Sequence, residues 1–244
     1  MKKIYALIIA SGIFTLSGCA EMQSVSQQLP GILQQNTGIN GVSNTTISNG
    51  LKQALNLGLN DGISKLGQDN GFYNNSLAKI LLPSELQGVE KTLRNIGLGS
   101  LADQGLKLLN SAAEDAVKEA APIFANAITS MSFQDATGIL LGGDNAATNY
   151  LQQKTTNQLT LAFQPKIANS LGKVGADKVW NTIITQYNTI SGKNINPDIN
   201  GYVTEQAIKG VFNMVAEKEA DIRNNSALRT TSVLKQVFAL QDNK

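Results

Sequence analysis

The longest apolar pattern in the chain covers residues 101–131, which read LADQGLKLLNSAAEDAVKEAAPIFANAITSM. Its apolar residues recur at steps of three and four, so they share one face of a helix. They are Leu109, Ala112, Ala113, Ala116, Ala120, Phe124, Ala127, Ile128 and Met131. Small side chains predominate, which predicts close packing between helices. We expect Glu114, Asp115, Lys118 and Glu119 to lie largely on the opposite side, with Glu114 and Lys118 forming a solvated i,i+4 ion pair.

Helical periodicity continues on both sides of this stretch. A first helix is predicted from 47 to 66, ended by Gly67. Further helices are predicted over 84–96, 132–141, 145–171, 176–190, 203–223 and 227–240. We expect a capping box at Ser132 and a helix cap at Asp144. Pro122 and Pro165 lie inside helical patterns and should kink or divide their helices.

Strand signals are weak throughout the sequence. No stretch alternates apolar and polar residues between turn signals in the manner of a half-buried strand. The sequence therefore predicts an all-α fold, a single multi-helix domain of about seven to nine helices with Pro-kinked long helices. A signal peptide and a flexible tether should precede this domain.

The first nineteen residues have the parts of a secretory signal peptide. Lys2 and Lys3 precede an uncharged stretch over residues 4–16, and small residues follow. A membrane-spanning helix takes about 20 apolar residues, so this stretch is too short for a retained span. A cleaved signal peptide over residues 1–18 is the better interpretation.

The signal ends in Leu16-Ser17-Gly18-Cys19, a box that resembles the bacterial lipoprotein signal. The resemblance implies that Cys19 takes a diacylglyceryl group, that cleavage falls before it, and that the new amino terminus is acylated. The alternative is that Cys19 is an ordinary buried thiol. Ala20 stands where lipoproteins of the inner membrane commonly carry Asp, so the resemblance implies the outer membrane, facing the periplasm. Residues 19–46 are then the lipidated Cys and tether, and 47–240 the helical domain.

The composition excludes several classes of chemistry. The chain has no His and a single Cys, which removes His-dependent nucleophilic catalysis, His-ligated metal sites and disulfides within the chain. Loss of Lys2 and Lys3 with the signal leaves 18 basic and 18 acidic side chains. The mature protein is close to neutral, so we expect no nucleic-acid partner. We also expect no metal and no cofactor.

Three groups of polar residues are candidates for chemistry. A Lys154 of lowered pKa beside Thr148 or Thr155 would be one of the few nucleophile schemes left without His. The turn at 142–144 opens a helix and offers N–H groups to an anion, although a helix stop and cap explains it better. Arg223 and Arg229 bind a carboxylate or phosphate, or else join two helices. The sparse aromatics Trp180, Tyr187 and Tyr202 are expected to pack in the core.

Several short blocks in order resemble an uncharacterised family of bacterial envelope proteins, domain of unknown function 4197. They are Asn70-Gly71-Phe72, Leu82-Pro83, the Ala112–Ala116 run, Ile123-Phe124, Gly142-Gly143-Asp144 with Ala146-Ala147-Thr148 and Tyr150-Leu151, Phe163-Gln164-Pro165, Tyr202-Val203-Thr204, Ile222-Arg223 and Arg229-Thr230-Thr231. The resemblance runs from about 47 to 238. It implies a secreted or lipid-anchored helical protein and brings no established activity or catalytic residues.

The matching blocks and their neighbours hold polar residues that core packing would not require. They are Glu114, Asp115, Thr148, Tyr150, Lys154, Thr155, Arg223 and Arg229, and we expect some of them to converge in a buried network or a pocket. The first functional hypothesis is a non-enzymatic module that binds a partner protein or an amphipathic ligand. The second is a His-free hydrolase or transferase using Lys154 with Thr148 or Thr155, or Glu114 as base. A third is a structural component of the envelope.

Overall fold

The computed structural model describes residues 39–196 and 198–242. The predicted signal peptide, the lipid-attachment residue Cys19 and the tether up to residue 38 lie outside the described residues. The α-helices are α1 (Asn44–Leu66), α2 (Gln87–Asn95), α3 (Gly99–Val117), α4 (Ala120–Thr129), α5 (Phe133–Leu140), α6 (Ala146–Lys173), α7 (Ala176–Ser191), α8 (Ile199–Asn224) and α9 (Ser232–Asp242). Short 3-10 turns lie at Ile39–Gly41, Ser84–Leu86 and Ser226–Leu228, and the described ranges contain no strand. The all-α prediction is confirmed.

Helix α1 begins slightly before the predicted domain boundary at residue 47. Its first residue is Asn44, and the Ser43 side chain caps it by accepting a hydrogen bond from the Thr46 N–H. Gly67 ends the helix as predicted, and its N–H donates to the Ile63 carbonyl at 2.9 Å. The last residues of the predicted tether therefore belong to the first turn of α1.

The long pattern over 101–131 is divided into two helices. Helix α3 ends at Val117 and α4 begins at Ala120, so Pro122 lies in the first turn of α4, where no intrahelical N–H bond is lost. The division expected near Pro122 is confirmed. Pro165 differs, because α6 runs through it without a break.

Two apolar clusters form the core. The larger one is built from α3, α4, α6, α8 and the C-terminal half of α1, and the Phe124 and Phe212 rings meet edge to face in it at 6.0 Å. The smaller one joins the N-terminal half of α1 to α5 and α9. The predicted alanine stripe is buried, as Ala112, Ala113 and Ala116 show, so α3 packs closely in the larger cluster.

None of the described helices is both long enough and apolar enough to cross a bilayer.

Candidate binding site

The Glu219 side chain on α8 caps the N-terminus of α6. Its Oε1 accepts from the Ala147 N–H at 2.9 Å, and its Oε2 accepts from the Thr148 N–H and hydroxyl at 2.8 Å each. The first N–H groups of a helix have no partner inside it, and its positive end favours an anion, so the carboxylate meets both requirements. The predicted cap at Asp144 is wrong: α6 begins at Ala146, and Asn145 at its cap makes no side-chain bond.

Arg223 continues this network toward α5. Its Nε and Nη2 donate to Glu219 Oε1 at 3.0 and 2.7 Å. The same guanidinium donates to the carbonyls of Ile139 at 2.8 Å and Leu140 at 3.2 Å, and to Gln241 Oε1 at 3.0 Å. The side chains of Glu219 and Arg223 are only 5% and 2% exposed. Arg223 thus caps the C-terminal end of α5 from the interior.

Arg229 caps the C-terminal end of α8 in the same way. Its Nε donates to the Ile222 carbonyl at 3.1 Å and its Nη2 to the Arg223 carbonyl at 2.8 Å. The guanidinium also forms a bidentate pair with Asp242 and holds the pKa of that carboxyl below its ordinary value. Phe238 packs beneath it, with 5.3 Å between the guanidinium carbon and the ring centroid. Of the two alternatives for Arg223 and Arg229, the geometry corresponds to joining helices.

Glu114 lies in a second, separate network. Its carboxylate accepts from the N–H groups of Asn70 at 3.2 Å and Phe72 at 3.1 Å, and it is 6% exposed. The predicted solvated pair with Lys118 is wrong, because Lys118 Nζ instead lies 3.5 Å from Asp115. Asn70 and Phe72 belong to the loop that follows α1, and this loop packs against α3. Because their N–H groups face α3, the Glu114 side chain is buried there as their acceptor.

Asp115 remains at the surface, where it ties α3 to α6. Its Oδ2 accepts from the Ser170 hydroxyl at 2.7 Å. Glu114 and Asp115 therefore point to different surroundings, as adjacent residues on a helix must. They do not form a facing pair of carboxyl groups.

The remaining candidates do not form a nucleophile with a base. The Thr155 hydroxyl is buried and donates to the Leu151 carbonyl at 2.7 Å, while the Thr148 hydroxyl is taken by Glu219. Lys154 is exposed, with its ammonium 5.7 Å from the Tyr150 ring centroid. Burial, together with the nearby Asp135 charge, raises the pKa of Tyr150. The structure thus brings Thr148, Arg223 and Arg229 into one connected region and leaves Lys154 outside it.

Asn110 is a buried polar residue that periodicity did not single out. Its Oδ1 accepts from the Ile80 N–H at 2.8 Å, and its Nδ2 donates to the carbonyls of Ile80 at 2.9 Å and Leu106 at 2.7 Å. It thereby fixes the extended segment before α2 against α3. The sequence offered one indication of this role, since Asn110 directly follows Leu109 of the apolar stripe on α3.

An open, mostly apolar groove lies between α3 and α7, with a cavity volume of about 280 Å³. We call it the apolar groove; it is lined by Leu82, Gly105, Leu108, Leu109, Val174, Ala176, Val179, Trp180 and Ile199. Three of these side chains are well exposed: Leu108 at 41%, Val174 at 56% and Val179 at 60%. Leu101 extends the same face of α3 one turn before Gly105. Grouped exposed apolar side chains of this kind mark binding surfaces.

A polar cavity of about 530 Å³ lies on the other face of α7. We call it the polar pocket; it is lined by Asp177, Lys178, Asn181, Thr182, Asp198, Ile199 and Asn200. Ile199 at the start of α8 is common to both linings but is itself buried, and the other lining residues place the two spaces on opposite faces of α7. The first turns of α7 and α8 both contribute to the polar pocket.

Three buried polar atoms without partners lie near the starts of α7 and α8. Among the described residues, the buried side-chain atoms that lack a hydrogen bond are Asp177 Oδ1, Trp180 Nε1, Asn200 Oδ1 and Thr137 Oγ1. Asp177 and Asn200 line the polar pocket, and Trp180 lines the apolar groove one turn after Asp177. Such atoms are costly to bury unpaired, and they are closed off from solvent, so they identify polar groups inside the protein rather than groups that face either space.

The prediction that Trp180 packs in the core is met in part. Trp180 is partly buried and packs against the larger core cluster, as expected of a core residue, yet it also lines the apolar groove. A sequence signal for the groove did exist in Leu101, Gly105 and Leu108, which share a face of α3 and continue an apolar stripe beyond its buried part.

The fold and the site define an all-α domain, held by buried caps between helices and carrying an open apolar groove. A family model described as a protein of unknown function, DUF4197, matches residues 41–239, so the chain belongs to that family. The predicted resemblance is thereby confirmed. Neither the curated proteins nor the solved structures include a match to this chain.

Proposed function

We propose that this protein is a lipid-anchored lipoprotein of the outer membrane, facing the periplasm, and that its helical domain is a non-enzymatic binding module. The observation that carries the binding role is the apolar groove, where exposed side chains adjoin the partly buried Trp180. Covering such side chains removes apolar surface from water at a gain of about 25 cal/mol per Å². A ligand with an apolar part is therefore the occupant that this surface favours.

The anchor is supported by the Leu16-Ser17-Gly18-Cys19 box and by the position of the chain's single Cys. Two or three acyl chains at Cys19 would make a stable attachment, since each buried CH₂ contributes about 0.8 kcal/mol. The test is palmitate labelling of the wild type and of Cys19→Ser, followed by separation of inner and outer membranes. We expect label only in the wild type and in the outer membrane; equal labelling of both forms would contradict the anchor.

The binding role is tested on the native lipoprotein extracted from membranes without added detergent, in a styrene–maleic acid copolymer. Mass spectrometry of the purified particles should find a small amphipathic molecule in stoichiometric amount over the membrane background. Particles that hold only bulk lipid and no enriched molecule would contradict a ligand-binding role. A co-purifying protein in fixed ratio would point to a partner protein instead.

A hydrolase or transferase built on Lys154 with Thr148 or Thr155, or on Glu114, receives less support. The two hydroxyl groups already donate to Glu219 and to the Leu151 carbonyl. The Glu114 carboxylate already accepts two backbone N–H groups. A general base must lie within hydrogen-bond reach of the proton it removes, and Glu219 meets that distance to the Thr148 hydroxyl. Both Glu219 oxygens, however, already accept backbone N–H groups, and Thr148 is only 6% exposed, so this pair is closed to a substrate.

A further inference from the structure

We propose that the apolar groove lies against the bilayer that holds the protein's anchor, with the exposed side chains along its two edges in contact with the lipids. This inference rests on the anchor and the binding role proposed above, and it adds the surface toward which the groove opens. An amphipathic ligand would then reach the groove from the lipid phase.

The two edges of the groove are aliphatic and exposed. Leu101 and Leu108 lie two turns apart on one face of α3, and Val174 and Val179 lie on the α7 side. These four side chains are between 41% and 60% exposed. Grouped apolar side chains of this kind are unfavourable in water, so they indicate a surface that another apolar phase covers.

Charged residues on the two helices lie away from the groove. On α3, Asp103 and Lys107 stand two residues to either side of Gly105, which places them nearly opposite it at about 100° per residue. On α7, Asp177 and Lys178 line the polar pocket on the other face. Each helix therefore presents an apolar face beside the groove and a charged face away from it, which is typical of helices that lie in a membrane interface.

The lining of the groove favours lipid over a partner protein. Among the lining residues, only Trp180 has a polar side-chain atom, and that atom is closed off from solvent. A protein interface carries about one hydrogen bond per 100–200 Å², and this lining offers no side chain to make one. The acyl chains of lipids need no hydrogen bonds, so they match the lining.

The anchor keeps a bilayer within reach of this surface. Residues 20–38 separate Cys19 from the first described residue and span at most about 65 Å when fully extended. The longest described helix, α6, has 28 residues and is about 42 Å long, so the tether is long enough to bring the groove to the bilayer. Tethering also raises the effective concentration to the order of millimolar, so a modest apolar surface is sufficient for contact.

Trp180 is the chain's single Trp and lines the groove, so its fluorescence reports on this contact. The full-length lipoprotein is reconstituted into phosphatidylcholine vesicles whose acyl chains carry bromine close to the head group. Bromine quenches a Trp that it contacts. We expect quenching of Trp180 that weakens when the bromine is moved to the chain ends. A protein that floats with the vesicles in a density gradient but is not quenched would overturn the contact and leave the anchor standing.

Leu101→Glu and Leu161→Glu form a matched pair of variants. Both leucines are exposed on helices, at 56% and 75%, and Leu161 lies about 20 Å before Val174 along α6. Leu101→Glu should weaken the contact about tenfold or more, because a charge replaces an apolar side chain that lipid covers. Leu161→Glu adds the same charge elsewhere and should be quenched like the wild type. Equal quenching of the two variants would overturn the proposed surface.

A second measurement distinguishes contact with the bilayer from uptake of one lipid chain. Nitroxide labels are attached at Leu101→Cys and Leu161→Cys, both outside the groove lining. Since the Cys19 sulfur is acylated in the anchored protein, the introduced thiol is the one that reacts. Oxygen, which concentrates in lipid, should relax the label at 101 more than a water-soluble nickel chelate does, and the reverse is expected at 161. A label at 101 that favours the nickel chelate while Trp180 is quenched would assign the groove to a single lipid chain and overturn the bilayer contact.

The outcomes separate this inference from the proposed function. A protein that does not float with the vesicles lacks the anchor, which would overturn both. An enriched ligand in a protein whose Trp180 is not quenched leaves the binding role standing and overturns the contact. A Trp180 emission that changes with protein density in the vesicles and not with bromine would assign the groove to a second copy of the chain, and would also overturn it.

Discussion

Glu219 on α8 and Thr148 at the start of α6 are joined by two hydrogen bonds of 2.8 Å each, one from the Thr148 N–H and one from its hydroxyl. The other carboxylate oxygen of Glu219 accepts from the Ala147 N–H and from Arg223. Both oxygens therefore face donors. An amide at this position would turn its NH₂ toward other donors in either orientation.

Replacement of Glu219 by Gln should therefore be strongly destabilising although the shape is nearly conserved. Removing the charge leaves the Arg223 guanidinium buried without a counter-charge, which costs about 3–5 kcal/mol. The measurement is the free energy of unfolding from urea denaturation. The control is Glu119→Gln, because Glu119 pairs with Lys166 at the surface and such pairs contribute little. Similar losses for both variants would contradict a structural role for Glu219.

Asn110 holds the segment before α2 by bonding to both backbone groups of Ile80. Asn110→Leu conserves the approximate size and leaves the Ile80 N–H and carbonyl unpaired, at about 1–3 kcal/mol for each group. Urea denaturation should detect the loss, and hydrogen exchange of the Ile80 N–H should accelerate. Asn157→Leu, at an exposed position on α6, is the control and should change stability little. Unchanged exchange at Ile80 in Asn110→Leu would contradict the proposed anchor.

Gly71 lies where the chain passes close to the end of α1. A Cβ there would stand 2.3 Å from the Lys65 carbonyl oxygen and 2.5 Å from that of Leu66. Backbone oxygens cannot rotate away, so Gly71→Ala should lower the free energy of unfolding by about 1–3 kcal/mol or more. Gly138→Ala is the matched control. Since its Cβ is unopposed in a helix, it should raise stability by about 1 kcal/mol.

Local signals predicted the helices and several of their ends. Ser132 and Asp135 form the expected capping box, with hydrogen bonds in both directions, because both partners lie within one turn. Gly67 ends α1 for a similarly local reason. Apolar periodicity identified the buried face of α3 because the repeat of the helix itself determines which residues share a face. Predictions of this kind need no knowledge of the tertiary structure.

The contacts that define the interior could not be predicted in this way. Glu219 lies 71 residues from Thr148, and no spacing rule connects a carboxylate to a helix that begins so far away. Proximity in sequence predicts Asp144 as the cap of α6, whereas in the structure the Glu219 carboxylate from α8 accepts the first N–H groups of that helix. The apolar groove also depends on how α7 lies beside α3, which periodicity within either helix does not specify.

The pair between Arg229 and Asp242 predicts a pH dependence. The Arg229 guanidinium lowers the pKa of Asp242 below the ordinary value of about 3.9. A carboxyl whose pKa is lower in the folded state contributes stability above the unfolded pKa and loses it as the pH falls through the folded pKa. Asp242→Asn should therefore cost most near neutral pH, and the difference from wild type should shrink below about pH 4. The Asp242 side chain is 46% exposed, so solvent screening keeps this contribution small.

The measurement is urea denaturation of the wild type and Asp242→Asn across a pH series from neutral to about pH 3. An Arg229→Gln background provides the control, since it removes the positive charge that lowers the Asp242 pKa. In that background the effect of Asp242→Asn should lose its fall at acid pH, because the charged carboxylate then has no guanidinium to bind. A fall of the same size in both backgrounds would assign the pH dependence to groups other than this pair.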